Sequence, residues 1–182
     1  AKQLEERAKE ATKNRELAEK EHEELDQFIK GCKENDVDLE ETDKLLAEFN
    51  ASMGSKDYVT ALAQVRKAAE AAKTAYVKRI GDIADSVDSL LTLGQIPASD
   101  SKGALDMLEK SKGLVVKDDL EEAMKAVKAA FDAAERALHE MFSAQLSQAQ
   151  EITIQAKEMG EDVSIYEDQL SRAKAAMERQ EY

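Results

Sequence analysis

Proline is nearly missing from this 182-residue chain, which has one, and tryptophan is missing altogether; cysteine occurs once, glycine seven times, and aromatics make up 4%. Each shortage excludes something. With so few breakers, long uninterrupted helices are permitted, because little else would stop them. A collagen-like or Pro/Gly-rich disordered chain is ruled out. One cysteine, Cys32, cannot form a disulfide within the chain, which excludes a disulfide scaffold and fits a reducing, cytoplasmic setting. No apolar run approaches the roughly 18 to 20 residues of a membrane span, so direct membrane insertion is not expected. Positive charge is also in deficit: 26 Lys+Arg stand against 39 Asp+Glu, a formal charge of -13. The bases alternate with acids instead of clustering, so no nucleic-acid partner is expected.

What is abundant points to an all-α chain. Charged residues make up 36% and hydrophobic ones 42%, and alanine dominates the apolar set. The buried surface should therefore be thin seams between helices instead of one broad core. Breakers at Asn35-Asp36, Gly54-Ser55, Gly94 to Asp100 with Pro97, Gly113 and Gly160 divide the chain. Long helices are predicted over about 3–34, 57–93 and 118–159, and short ones over about 39–53, 101–113 and 165–179.

Shifted against itself by 62 residues, the chain repeats. Asp38, Asp100 and Asp162 align before the short helices, and Asp57, Asp119 and Glu181 before the long ones. Tyr58, Leu120 and Tyr182 follow directly. Within 57–75, seven positions match their shifted partners, among them Ala61/Ala123, Val65/Val127 and Ala72/Ala134. The second long helix has a seam at Tyr58, Leu62, Val65, Ala69, Ala72, Tyr76, Ile80, Ile83, Val87 and Leu90. The third has one at Leu120, Met124, Val127, Phe131, Ala134, Leu138 and Phe142. Their extra four-residue steps, 76 to 80 and 138 to 142, are stutters at equivalent places. Each short helix carries one stripe of the same spacing: Thr42, Leu46, Phe49, Met53; Ala104, Leu108, Ser111, Val115; Tyr166, Leu170, Ala173, Met177. Asp38 with Glu41, and Ser164 with Glu167, read as capping boxes. Glu5/Lys9, Glu16/Lys20, Asp26/Lys30 and Glu121/Lys125 stand at i, i+4 on solvated faces.

A short helix cannot bury its stripe alone, so it should fold back on its long neighbours. The expected architecture is an elongated array of three-helix bundles joined by shared long helices. Residues 1–78 form the first bundle, 79–140 the second, and 141–182 an incomplete third. A long helix advancing ~55 Å and a short one returning ~22 Å give ~33 Å per repeat.

Sharing a long helix between bundles resembles the spectrin repeat in architecture. Asp57-Tyr58-Val59-Thr60-Ala61-Leu62 resembles the opening of the second helix of tetratricopeptide repeats. Segments such as Ala156-Lys157-Glu158-Met159-Gly160-Glu161-Asp162-Val163-Ser164, with Glu181-Tyr182, are similar to helical repeat regions of larger, often archaeal, proteins. That resemblance implies a fragment of a longer chain. Residue 1 corresponds to Ala63, inside a long helix, and Tyr182 falls where another should begin, so both ends are expected to be cut.

No residue pattern calls for chemistry. His22 lies among Glu21, Glu23 and Glu24, but helix neighbours point in different directions, so a solvated acidic face is expected, not a metal site. His139 has no second histidine at i, i+4. Cys32 lies on an apolar stripe with Leu25 and Phe28 and is expected to be a small buried hydrophobe. Met53 and Met177 fall at equivalent positions, as does Val115, and fill the core. Gly94-Gln95-Ile96-Pro97 and Lys112-Gly113 lack a nucleotide-loop pattern. No catalytic, cofactor-binding or metal residue is assigned, and no enzyme is expected.

The expected function is a non-catalytic structural spacer or scaffold segment, with flanking domains or other proteins as partners. The alternative is a repeat-type interaction module that takes a partner helix or peptide in a groove between short and long helices. Tyr76, Tyr166 and Phe142 are its candidate anchors. Homodimerisation along the first helix, through Leu4, Ala11, Ala18 and Leu25, is a further option.

Overall fold

The computed structural model describes residues 2–179. It is all-α: 88% of these residues are helical, and no strand occurs among them. Six helices follow in order, α1 Lys2–Glu34, α2 Glu40–Gly54, α3 Tyr58–Leu93, α4 Ala98–Val116, α5 Leu120–Glu158 and α6 Ser164–Glu178. All six lie within a few residues of the expected spans. The expected start at Glu181-Tyr182 and the side chain of Leu4 fall outside the description.

Two glycines, one of them the expected breaker Gly113, do not interrupt their helices. α3 runs 36 residues straight through Gly81, and α4 continues past Gly113 to Val116. A lone glycine in a helix costs only ~1 kcal/mol, less than the packing of the flanking turns returns. α4 also starts earlier than expected. The Pro97 carbonyl accepts from the Ser101 amide at 3.0 Å, so this proline opens the helix from its first turn, where its missing N–H is no loss.

The turns are tightly specified. After α1, Val37 N–H donates to the Cys32 carbonyl at 3.0 Å, with Asp36 in the left-handed region at φ 54. After α5, Glu161 N–H donates to Ala156 at 3.1 Å, with Gly160 at φ 89. These are 6→1 closures that satisfy carbonyls left over at a helix end. After α2 and α4, Asp57 donates to Ser52 and Asp119 to Leu114, with Lys56 and Asp118 left-handed.

The expected capping boxes take another form. α2 begins after Leu39 without a side-chain cap, and the Asp38 carboxylate instead accepts from the Glu40 amide at 3.1 Å. Asp162 does the same for Ser164, accepting from its amide and its hydroxyl. These donors hold the Asp162 carboxyl below its ordinary value. Asp57 caps α3 through the amide and hydroxyl of Thr60, and its carboxyl is lowered for the same reason. Of the expected surface pairs, Glu5–Lys9 forms at 3.2 Å. Lys20 instead faces Glu24, and Asp26 faces His22.

The helices form two compact units, one comprising Ala1–Asp82 with Leu114–Met124, the other Ile83–Gly113 with Lys125–Tyr182. In the first, α3 lies against both α1 and α2. Arg66 makes a forked contact to Glu21 of α1, and Gln64 bonds Ser52 and Glu48 of α2. Tyr76 meets Phe28, with ring centroids 5.4 Å apart, and Arg79 reaches the Asn35 carbonyl at the end of α1. Its fully buried stripe is Ala61, Val65, Ala68 and Ala72. The seam therefore departs from expectation: Leu62 and Ala69 are only half-buried, and Ala61 and Ala68 take the closest positions. A helix facing two neighbours brings its backbone nearest where the side chains are smallest.

The second unit has a cluster of Ile96, Ala137 and Leu138, with Leu90, Leu91, Met141 and Phe142 packed against it. Ala104, Leu108 and Ser111 of α4 are buried here. In α6, by contrast, no described residue is buried.

Candidate functional site

The residues considered first for chemistry fall in three different settings. His22 stacks on Phe49 with ring centroids 4.7 Å apart and places Nδ1 3.4 Å from Asp26. It thus closes α1 onto α2. His139 is exposed on α5. Cys32 is fully buried, and burial pushes its thiol up to about 11, the opposite of what a nucleophile needs. Among the described residues no group of three or more His, Cys, Asp or Glu is placed to hold a metal ion, and no helix is long and apolar enough to cross a membrane.

The three candidate anchors separate. Tyr76 is buried in the first unit, and burial raises its phenol above the ordinary value. Phe142 is half-buried, while Tyr166 is 59% exposed. The last two belong to α5 and α6, and an apolar opening lies between these helices. A groove of about 380 Å³ runs between these helices, lined by Phe142, Gln145, Leu146, Ala149, Ala173 and Met177, among others.

The groove is built simply. The turn at Gly160 reverses the chain, Lys157 pairs with Glu167 at 2.6 Å near the turn, and Lys174 bonds Gln150 at 2.7 Å further along. Ser143 donates to Met177 Sδ at 3.8 Å. These contacts hold the two helices side by side, yet their apolar stripes remain open to solvent. Ile152, Ile154, Met159 and Ile165 are exposed on the same pair of helices.

A larger opening of about 500 Å³ in the first unit is of another kind. Its walls mix acids and bases, among them Asp38, Glu40, Lys44, Lys78, Arg79 and Asp82. Lys44 pairs with Glu40 at 2.8 Å, and with five acids against three bases the lining is net acidic and offers no apolar seat for a partner helix.

Tyr166 and Phe142 were legible as candidate anchors from sequence, whereas Gln145, Leu146 and Ala149 were not singled out. The signal lay in the same self-comparison. Two shifts of 62 place Ala149 on Leu25 and Ala173 on Phe49, so two large core residues are replaced by alanine.

Comparison with protein-family models gives no match, and neither does comparison with curated proteins or with solved structures. The groove's role therefore rests on its own geometry.

Proposed function

We propose that the chain is a non-catalytic structural spacer or scaffold segment, built from tandem three-helix repeats of about 62 residues as the self-alignment of the sequence gives them. The observation that carries this reading is the length of the long helices. α3 and α5 run 36 and 39 residues without a break, about 54 and 58 Å at 1.5 Å per residue. The turns support the repeat. All five turns close with the same amide-to-carbonyl pattern; those after α2 and α4 lie 62 residues apart and those after α1 and α5 lie 124 apart, while the closure after α3, Ile96 to Leu91, falls three residues short of that register. The spectrin-like comparison is one of architecture and belongs to this proposal.

Small-angle X-ray scattering with in-line mass determination tests the spacer. A compact monomer of this length has a radius of gyration near ~16 Å, whereas a rod of ~100 Å built from these helix rises has about 29 Å. An extended monomer is expected; a compact one overturns the reading.

The second reading, a protein–protein interaction module that takes a partner helix, is favoured by one specific observation: the solvent-open apolar groove between α5 and α6. A concave apolar surface with a half-buried aromatic in its wall, here Phe142, suits the apolar face of a docked helix.

A further inference from the structure

We infer that the α5–α6 groove docks an amphipathic helix of another protein, one that carries a bulky apolar residue at its centre and an acidic residue one turn earlier. This deepens the interaction-module reading and rests on it.

The first unit shows how such a groove is filled. There α3 covers the groove between α1 and α2, with Arg66 over Glu21 and Gln64 over Ser52 and Glu48. One turn beyond Gln64, Ala68 lies within about a turn of the levels of Leu25 on α1 and Phe49 on α2, as the Arg66–Glu21 and Gln64–Ser52 contacts set the register, and all three are buried. A large floor thus meets a small helix residue. Residues 124 further on line the open groove: Gln145 stands for Glu21, Ala149 for Leu25 and Ala173 for Phe49. Ala149 and Ala173 are exposed. At this level the size relation is inverted, because the floor has lost an isobutyl group and a phenyl ring, while the ring gained at Phe142 in place of Ala18 lies two turns away along α5; the open groove measures about 380 Å³. A matching helix must supply that bulk itself, at the position where α3 has Ala68.

Charge fixes the second feature. Arg172 occupies the place of Glu48, the acid that Gln64 contacts in the first unit. It pairs along the surface of α6 with Asp168 at 2.9 Å and is largely exposed. An acid at the Gln64 position of the incoming helix would meet this guanidinium, while Gln145 asks for no cation where Glu21 asked for Arg66. The groove also continues an interface already formed, since Phe142 packs on the Ile96–Ala137–Leu138 cluster and lines the groove as well. A second copy of this chain is a poor occupant. The upstream half of α1 has Gln3, Glu6 and Glu10 where α3 has Val65, Ala68 and Ala72.

The test uses the full chain and fluorescein-labelled peptides with the sequence of residues 57–75, read by fluorescence anisotropy. The parent peptide is compared with one carrying Gln64→Glu and Ala68→Leu. The doubly substituted peptide is expected to bind at least tenfold tighter than the parent. Ala173→Glu, at an exposed site on α6 that leaves the fold intact by circular dichroism, is expected to weaken it at least tenfold. With Arg172→Glu in the protein, a peptide with Lys in place of Gln64 should overtake the one with Glu.

Equal binding of the parent and Ala68→Leu peptides overturns the inverted-size inference but leaves helix docking standing. Binding that Ala173→Glu does not weaken places the peptide elsewhere and overturns the groove assignment. A lack of binding by every helical peptide up to millimolar concentration overturns both the inference and the interaction-module reading. Doubling of the protein's mass on its own, abolished by Ala173→Glu, overturns the separate partner in favour of a second copy.

Discussion

Gly94 and Gly81 should answer the same substitution with opposite signs. A methyl group at Gly94 would collide with Leu138 Cδ1 and lie 2.9 Å from the Leu90 carbonyl and 3.1 Å from Ile96 Cγ1. At Gly81, within α3, it would meet nothing within 4 Å. Replacing an exposed helical glycine by alanine lowers the entropy of the unfolded chain and gains about 0.5 to 1 kcal/mol. Forcing a methyl into packed surroundings costs about 1 to 3 kcal/mol, because Leu138 is only 3% exposed and must leave its rotamer. Gly94→Ala should therefore destabilise by about 1 to 2 kcal/mol and Gly81→Ala should stabilise by up to ~1 kcal/mol. In urea, with a slope of about 2 kcal/mol per molar, the two midpoints should differ by roughly 1 M. The clash predicts more: Leu138→Ala alone should cost about 2 to 5 kcal/mol, and combined with Gly94→Ala it should cost about 1 kcal/mol less than the sum. A Gly94→Ala midpoint at or above that of the wild type would refute the packing account, and strict additivity would refute Leu138 as the obstructing group.

Other outcomes follow from single contacts. Thr42 is 1% exposed and its hydroxyl has no hydrogen-bond partner, so Thr42→Val should raise stability by about 1 kcal/mol, or the melting temperature by ~2 to 4 °C; a lower melting temperature contradicts it. Lys56 holds φ 62 in the α2–α3 turn, and Lys56→Gly should stabilise by about 0.5 to 1 kcal/mol in the same assay. Cys32 has its thiol raised to about 11, so it stays protonated when folded at a pH where the unfolded chain has already released the proton. Stability should then fall as pH rises from 9 to 11, and Cys32→Ala should flatten that fall. Native protein should also react with a thiol reagent at pH 8 no faster than it opens.

How far the sequence could be read depended on where helices meet solvent and where they meet each other. The six helices were legible because breakers are rare and most glycines are scattered through helical interiors. Gly113 misled, since a glycine ends a helix only where the next residues cannot continue the packing, and Leu114 and Val115 continue it as half-buried residues. The choice between Leu62 and Ala61, or Ala69 and Ala68, was not legible. Both sets satisfy a helical period, and only the two neighbours of α3 decide which side comes closest. The groove between α5 and α6 was half legible, through Phe142 and the α6 stripe residues Ala173 and Met177.

Composition and periodicity by themselves determined that this chain is helical, where its helices begin and end to within a few residues, and that its single thiol sits in an apolar stripe. These are local properties, set by backbone propensity and by spacing along one helix. Only tertiary structure decided the rest. It separated Tyr76, sealed against Phe28, from Tyr166, left in solvent, although both lie on apolar stripes. It also left Thr42 buried without a partner while the equivalent face of α6 stayed open. Burial depends on which helix lies across the stripe, and that is a property of distant residues meeting, not of any stretch of sequence read alone.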